Sequence, residues 1–388
     1  MLTIDRRRLV RSGFIGGALG LAGLFVPRLA FAAAATERRF VFIIQRGAAD
    51  GLGTLAPLGD PAYQGLRGAL AEDFARGQKL DGMFTLHPAL VEVGALYRQG
   101  QVLFLNAVAS AYRDRSHFDG QNVLETGGAR PYQYADGWLN RLVAMLPTGD
   151  AKALAVSATI PAALRGSAPV ASYAPTTLPA ASADLLARVG SLYAGDEQLH
   201  GLWESALRTR GLAGDLGDAG GKGAAATGRL AASLMQGPAG ARIAMIETLG
   251  WDTHVNQRGR LANQLTGLDA MIGALKAGLG PAWNDTLVLV ATEFGRTAAA
   301  NGTGGTDHGT ASLAMLLGGG VKGGRVIADW PGLAPAQLYE ARDLKPTTSL
   351  DAATAGALSE HFGLAPDRTM QRLFPGGSGV ANEGLIRN

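Results

Sequence analysis

No cysteine occurs in the 388 residues. That excludes disulfides and thiol chemistry, and it leaves His, Asp, Glu and Asn as the side chains able to hold a metal. Such a donor set favours ions such as Zn, Mn, Mg or Ca. A basic surface is lacking too, although the formal charge of +3 first suggests one. Residues 1–32 hold five arginines and one aspartate, and without them the balance becomes about −1. A nucleic-acid footprint needs clustered base in the folded part, so no nucleic-acid partner is expected. Beyond the first 26 residues no apolar run approaches the ~20 residues of a bilayer span, so no stable membrane span is expected after cleavage.

The basic residues that are present sit where an export address would. Asp5-Arg6-Arg7-Arg8-Leu9-Val10-Arg11 puts paired arginines before two apolar residues and a base, and Ser12–Val26 follows as a short Gly- and Ala-rich run. Pro27-Arg28 interrupts it, and Ala30-Phe31-Ala32 supplies the small residues that a signal peptidase needs. Residues 1–32 therefore read as a twin-arginine signal peptide, the alternatives being an amphipathic basic helix or an uncleaved anchor. The reading implies the twin-arginine export machinery and signal peptidase as partners, and a periplasmic or secreted mature chain. That route carries folded proteins, often with a cofactor already loaded.

The rest alternates between two periodicities. Phe40–Ile44, Val102–Leu105, Ile243–Ile246, Leu287–Val290 and Leu313–Leu317 are unbroken apolar runs, as expected of strands buried on both faces. Between them lie helical patterns. Pro88 opens one, with Leu90, Val93, Leu96 and Tyr97 on one face and Gly100 at its end; Leu261, Leu265, Leu268, Ile272, Leu275 and Leu279 mark a second; a third spans about 351–362. The alternation predicts an α/β fold: a mostly parallel central sheet in three α/β/α layers, as one domain over 38–375. Residues 150–240 are rich in Ala, Gly and Ser and read as an insertion or cap, helical over 184–207 and a flexible loop over 211–228.

In such sheets ligands bind beyond the carboxyl ends of the strands. Five polar groups fall at strand ends: Gln45-Arg46-Gly47-Ala48-Ala49-Asp50-Gly51; Asn106 with Arg113-Asp114-Arg115-Ser116-His117-Phe118-Asp119; Glu247 with Gly250-Trp251-Asp252-Thr253-His254; Thr292-Glu293-Phe294-Gly295-Arg296; and Gly304-Gly305-Thr306-Asp307-His308-Gly309. Four of them have a plain alternative. Asp50 before Gly51 suits a turn, Ser116 suits an N-cap, Asp252 and His254 suit a helix cap, and Asp307-His308-Gly309 suits a loop. Together they suggest an assembled metal site.

The blocks Arg46–Leu52, Leu86-His87-Pro88, Arg115-Ser116-His117-Phe118, Gly250–His254, Glu293-Phe294-Gly295-Arg296 and Gly305–Gly309 resemble the domain-of-unknown-function family numbered 1501, over about residues 38–370. That family resembles a distant branch of the alkaline phosphatase and sulfatase superfamily. The resemblance implies a metal-binding acid after the first strand (Asp50), a nucleophile at a helix start (Ser116), an Asp with a His four residues on (Asp252, where that His is replaced by Asn256 and His254 lies two on), an Asp-His pair (here Glu293-Phe294), and a final His (His308). The departures allow a one-metal site, a remodelled site or a scaffold without catalysis. The expected metal ligands are drawn from Asp50, Asp252, His254, Glu293, Asp307 and His308. Ser116 is the expected nucleophile, with Arg46, Arg115 or Arg296 clamping an anionic small-molecule or polymer substrate. His117 is a ligand or simple support. The expected function is an exported metal-dependent hydrolase of phosphate or sulfate esters, the alternative a non-catalytic binding or assembly protein on a sulfatase-like scaffold.

Overall fold

The computed structural model describes residues 37–147, 152–174, 182–213, 223–377 and 379–387; the expected signal peptide at 1–32 lies outside them. Twelve strands are formed among these residues: β1 (Arg39–Gln45), β2 (Leu55–Ala56), β3 (Gln78–Lys79), β4 (Thr85–Leu86), β5 (Val102–Ala109), β6 (Ala153–Val156), β7 (Val170–Ser172), β8 (Ile243–Thr248), β9 (Thr286–Ala291), β10 (Ser312–Leu317), β11 (Arg325–Ile327) and β12 (Thr348–Ser349). Nine build one sheet in the order β11-β5-β10-β9-β1-β8-β6-β7, with β12 also on β5, and β2-β4-β3 form a small second sheet. In the large sheet β10 alone runs against its neighbours, β5 and β9. The other pairings are parallel.

The layers follow from the apolar runs. All seven residues of β1 are buried. Val41 and Ile43 enter one core cluster, while Phe40, Phe42 and Ile44 enter another on the opposite face. Helices Val91–Arg98, Ala224–Met235 and Gln257–Leu279 supply the first cluster. Helices Trp138–Met145, Leu350–Phe362 and Pro366–Leu373 supply the second. The leucines spaced at three and four from Leu261 to Leu279 are all buried, each contributing about 1.5–3 kcal/mol of transfer free energy. On the other face the Trp138 ring lies 5.3 Å from Phe42 and 5.6 Å from Phe374.

Some local expectations shift. The helix expected from Pro88 begins at Val91, because the Asp269 carboxylate on the long helix accepts from Glu92 N and Val93 N at 3.0 and 2.9 Å and caps it there. The helical stretch expected at 184–207 is two helices, Ala183–Tyr193 and Glu197–Ala213. Part of the loop expected at 211–228 is helical, since Ala224–Met235 already begins inside it. The stretch expected as an insertion also adds β6 and β7 to the large sheet beyond β8. Among the described residues no helix is long and apolar enough to cross a membrane.

Register fixes where the site forms. Gln45 pairs with Thr248, Ile44 with Ala291, and Ser312 with Val108. The ends of β1, β8, β9 and β5 therefore share one edge with the start of β10. Because β10 is reversed, residues that precede it meet residues that follow the other four.

Candidate metal centre

The loop after β1 is held against the loop after β8. Gly47 has φ +116°, and a Cβ there would lie 2.6 Å from Asp252 N. Only glycine permits that approach. Gly47 N donates to Glu293 Oε1 at 2.9 Å, and Ala49 N donates to Thr292 Oγ1 at 3.0 Å. Three strand ends are thereby tied together before any ligand is considered.

His117, Asp252 and His308 each offer a ligand atom, and these atoms lie within 4.8 Å of one another. His117 opens the helix His117–Thr126 after β5, Asp252 follows β8, and His308 precedes β10. Each histidine is backed by an acceptor. His117 Nδ1 donates to the buried Glu293 carboxylate at 2.8 Å, and its ring stacks on Phe294 with centroids 5.2 Å apart. His308 Nδ1 donates to the Arg115 carbonyl at 3.0 Å. A carbonyl can only accept, so the neutral His308 ring carries its proton on Nδ1 and turns a bare Nε2 lone pair inward. When His117 is neutral its one proton serves Glu293 from Nδ1 and its Nε2 is bare; that atom is buried without a hydrogen bond, 3.5 Å from Asp252 Oδ2. His254 completes the group. Its Nδ1 faces Asp307 Oδ1 at 3.0 Å, while its Nε2 stands 3.0 Å from both His308 Nε2 and Asp252 Oδ1.

The charges are graded. The hydrogen bond to Glu293 raises the His117 pKa above its ordinary value, against the effect of burial. Burial lowers that of His308, and the neighbouring His117 charge lowers it further. Burial alone would raise Asp252 and Glu293, but Arg296 holds Asp252 below the usual carboxylate range, and His117, Gln121 and the Gly47 amide do the same for Glu293.

Of the six expected ligands, Asp252 and His308 lie in the cluster and His254 touches both. Glu293 and Asp307 stand behind His117 and His254 as orienting acceptors, an arrangement that fixes a ligand's tautomer. Asp50 is outside the cluster. It is 1% exposed and forms a two-armed ion pair with Arg67, with Gln257 Nε2 donating to it at 2.5 Å. Burial would raise Asp50, yet Arg67 holds it below its ordinary range. Gln257 Oε1 accepts from Thr306 Oγ1 at 2.6 Å, and Thr306 Oγ1 accepts from Arg296 Nε at 3.1 Å. A buried chain thus runs from Asp50 to Arg296, which donates to Asp252 Oδ1 at 2.6 Å.

The three arginines expected to clamp substrate are all engaged. Arg46 pairs with Glu125 and Glu247, Arg115 with Asp343 and Glu340, and Arg296 with Asp252. Ser116 occupies the N-cap of its helix, its side chain making no capping bond, between Arg115 and His117. His117 is the residue the resemblance placed least firmly, because it gave the helix-start position to Ser116. The available signal was a third histidine beside a strand end in a chain with only six.

The chain belongs to the family described as "Protein of unknown function (DUF1501)", whose model matches residues 37–374. No curated protein matches it. Solved structures similar to it include the C-terminal periplasmic domain of EptC from Escherichia coli in complex with Zn, at 9% identity and TM-score 0.36, covering 74% of this chain and 74% of that one. Another is phosphonate monoester hydrolase of Agrobacterium radiobacter, at 13% identity and TM-score 0.32, covering 88% and 78%. At those scores the architecture rests on the sheet order and register described above.

Proposed function

We propose that this family member holds one divalent cation between His117, Asp252 and His308, with His254 beside them, and acts outside the cytoplasm as a metal-dependent hydrolase of a phosphate or sulfate ester. The observation that carries the reading is the convergence of lone pairs. His254 Nε2 and His308 Nε2 face each other at 3.0 Å, and His308 Nδ1 is already committed to a carbonyl. Both rings are backed at Nδ1, so their Nε2 atoms and the Asp252 carboxylate are the groups left to converge on a shared cation. A cation fits that donor set, and nitrogen with oxygen and no sulfur suits Zn or Mn.

A cation bound there would supply Lewis-acid chemistry. The chain's own residues would do the rest. Glu293 and the Arg115 carbonyl hold two imidazoles in the ligating tautomer. Arg296 fixes the Asp252 carboxylate, whose side chain remains 43% exposed and open to an incoming anion. Ser116 stands at the start of a ten-residue helix, where unpaired N–H groups favour negative charge. Export by the twin-arginine route, argued from residues 1–32, agrees with a protein folded around its metal before translocation.

One observation favours the alternative of a non-catalytic binding or assembly protein: Arg46, Arg115 and Arg296 are all paired within the protein and leave no free fork for substrate. One experiment separates the two. Protein exported by the native route is analysed for metal, and wild type and His308→Ala are assayed on phosphate and sulfate esters, with circular dichroism as the folding control. Hydrolase function predicts about one Zn or Mn per chain and turnover lost in the variant. Metal without turnover on any ester supports the binding protein, and equal metal in both chains removes His308 from the site.

A further inference from the structure

The loop that presents Arg115 and His117 to the metal cluster lines, with its first half, a separate polar cavity. The cavity measures about 210 Å³ between the end of β5 and the segment that carries β12, and Ser110, Arg113, Thr347, Ser349 and Asp351 line it.

Two opposite charges face this space without meeting. Asp351 lies in the first turn of the helix Leu350–Phe362, is 6% exposed, and its carboxyl has no hydrogen-bonding or ionic partner among the described residues. The Ser349 hydroxyl, not Asp351, takes the free Ala352 N–H at that helix start, at 3.2 Å. Burial pushes the Asp351 carboxyl up to about 7. Arg113 is half-buried, and one of its terminal nitrogens donates to the Ser110 and Tyr112 carbonyls at 2.5 and 2.7 Å. No carboxylate of the described residues forms an ion pair with Arg113; the Tyr339 phenol acts on its charge from nearby. The Thr347 hydroxyl is buried and unpartnered as well. An acid without an ion-pair partner and a base without a carboxylate line one cavity, an arrangement that a molecule carrying both charges would answer.

We infer that this cavity binds a small zwitterion, its anionic group on the Arg113 guanidinium and its ammonium on the Asp351 carboxylate. Guanidinium suits carboxylate or phosphate through parallel N–H bonds. An ammonium has three donors, which the Asp351 carboxylate and the Thr347 hydroxyl can accept. Its volume of about 210 Å³ suits a ligand of about the size of an amino acid or an amino-alcohol phosphate. This inference does not depend on the metal reading.

The test is calorimetric titration of the mature exported protein with glycine, β-alanine and γ-aminobutyrate, which step the separation of the two charges. Acetate and ethylamine serve as single-charge controls. Saturable binding of at least one zwitterion is expected, tighter than either control by about tenfold or more, as a second charge-assisted bond implies. Asp351→Asn, nearly isosteric, should weaken it by about as much while metal content and circular dichroism stay unchanged. Arg113→Gln should do the same from the other end, and Thr347→Val provides a milder variant should Arg113→Gln fail to fold. Absence of saturable binding in wild type, meaning that water alone fills the cavity, overturns the proposal. So does binding no tighter than that of acetate, or binding unaffected by Asp351→Asn.

Discussion

Two buried titratable groups on the helix Leu350–Phe362 should oppose each other in the pH dependence of stability, and removing either should unmask the other. His361 is buried, with its Nε2 2.9 Å from the Arg39 carbonyl, and burial lowers its pKa from 6.5 to about 4. As pH falls from 6.5 to 4 the unfolded chain takes up a proton that the folded chain refuses, so stability is lost over that window, by about 3 kcal/mol at 1.36 kcal/mol per unit. Asp351 is displaced the other way, from 3.8 to about 7 by burial. Its contribution is fully present below 3.8 and is lost as pH rises through 7, by about 4 kcal/mol. Between pH 4 and 6.5 the two slopes have opposite sign and similar size. The assay is urea unfolding of wild type, His361→Gln and Asp351→Asn, dialysed free of small molecules, at half-unit steps from pH 4 to 8. Acidic groups elsewhere contribute equally to all three proteins and cancel in the differences. Asp351→Asn minus wild type should climb with pH toward about 4 kcal/mol above pH 7. His361→Gln minus wild type should climb as pH falls, toward about 3 kcal/mol near pH 4. Two difference curves flat across this range would refute the assignment of these shifts to burial.

Glu293→Gln should keep the fold but weaken metal binding by about 10–100-fold, as for other residues that orient a ligating histidine; metal titration giving the wild-type affinity would show that His117 does not need its carboxylate. Gly47→Ala combines a φ of +116° with a Cβ 2.6 Å from Asp252 N, so it should lower stability by about 1–3 kcal/mol and reduce metal affinity together; an unchanged melting temperature would refute the close approach. Arg6→Lys with Arg7→Lys should strand uncleaved precursor in the cytoplasm, read by fractionation and blotting. Normal delivery of that double variant sinks the export reading, although a shifted Arg7-Arg8 pair is why both positions are changed.

How much of this was legible in the sequence depended on burial. The five central strands stood out because a strand covered on both faces is apolar at every position, as β1 is from Phe40 to Ile44. Strands β6 and β7 have four and three residues and sit among Ala and Ser at the sheet's far edge, where no such run is required. The reversal of β10 leaves no mark on residue type, yet it explains why His308, ahead of its strand, joins Asp252, behind its own. The same limit applied to the charges. That polar residues would gather at this edge followed from their positions after strands. Which cation would claim each carboxylate did not, because the partners come from elsewhere: Arg67 reaches Asp50 from a helix outside every motif, and Asp343 draws off Arg115 from 228 residues away.

That sorting of carboxylates bears on how many ions the site can hold. In the pattern the resemblance implies, a two-metal site needs an acid after the first strand and an Asp-His pair after the fourth. Here the first acid, Asp50, is neutralised inside the protein by Arg67 and 1% exposed. Recruiting it to a metal would leave Arg67, itself buried, as an uncompensated charge, at a cost of about 3–5 kcal/mol. The pair has become Glu293-Phe294. Glu293 faces inward, accepting from Gly47 N, Gln121 and His117, and Phe294 fills the core beneath the His117 ring, 3% exposed. The position of an absent histidine ligand is thus occupied by an aromatic that steadies a histidine from a different strand end. The side chains left that could hold an ion are Asp252 and three imidazoles, a donor set that would serve one ion rather than two. Metal analysis should therefore level off at one ion per chain however much is supplied, and a second equivalent bound with comparable affinity would show that Asp50 exchanges Arg67 for metal.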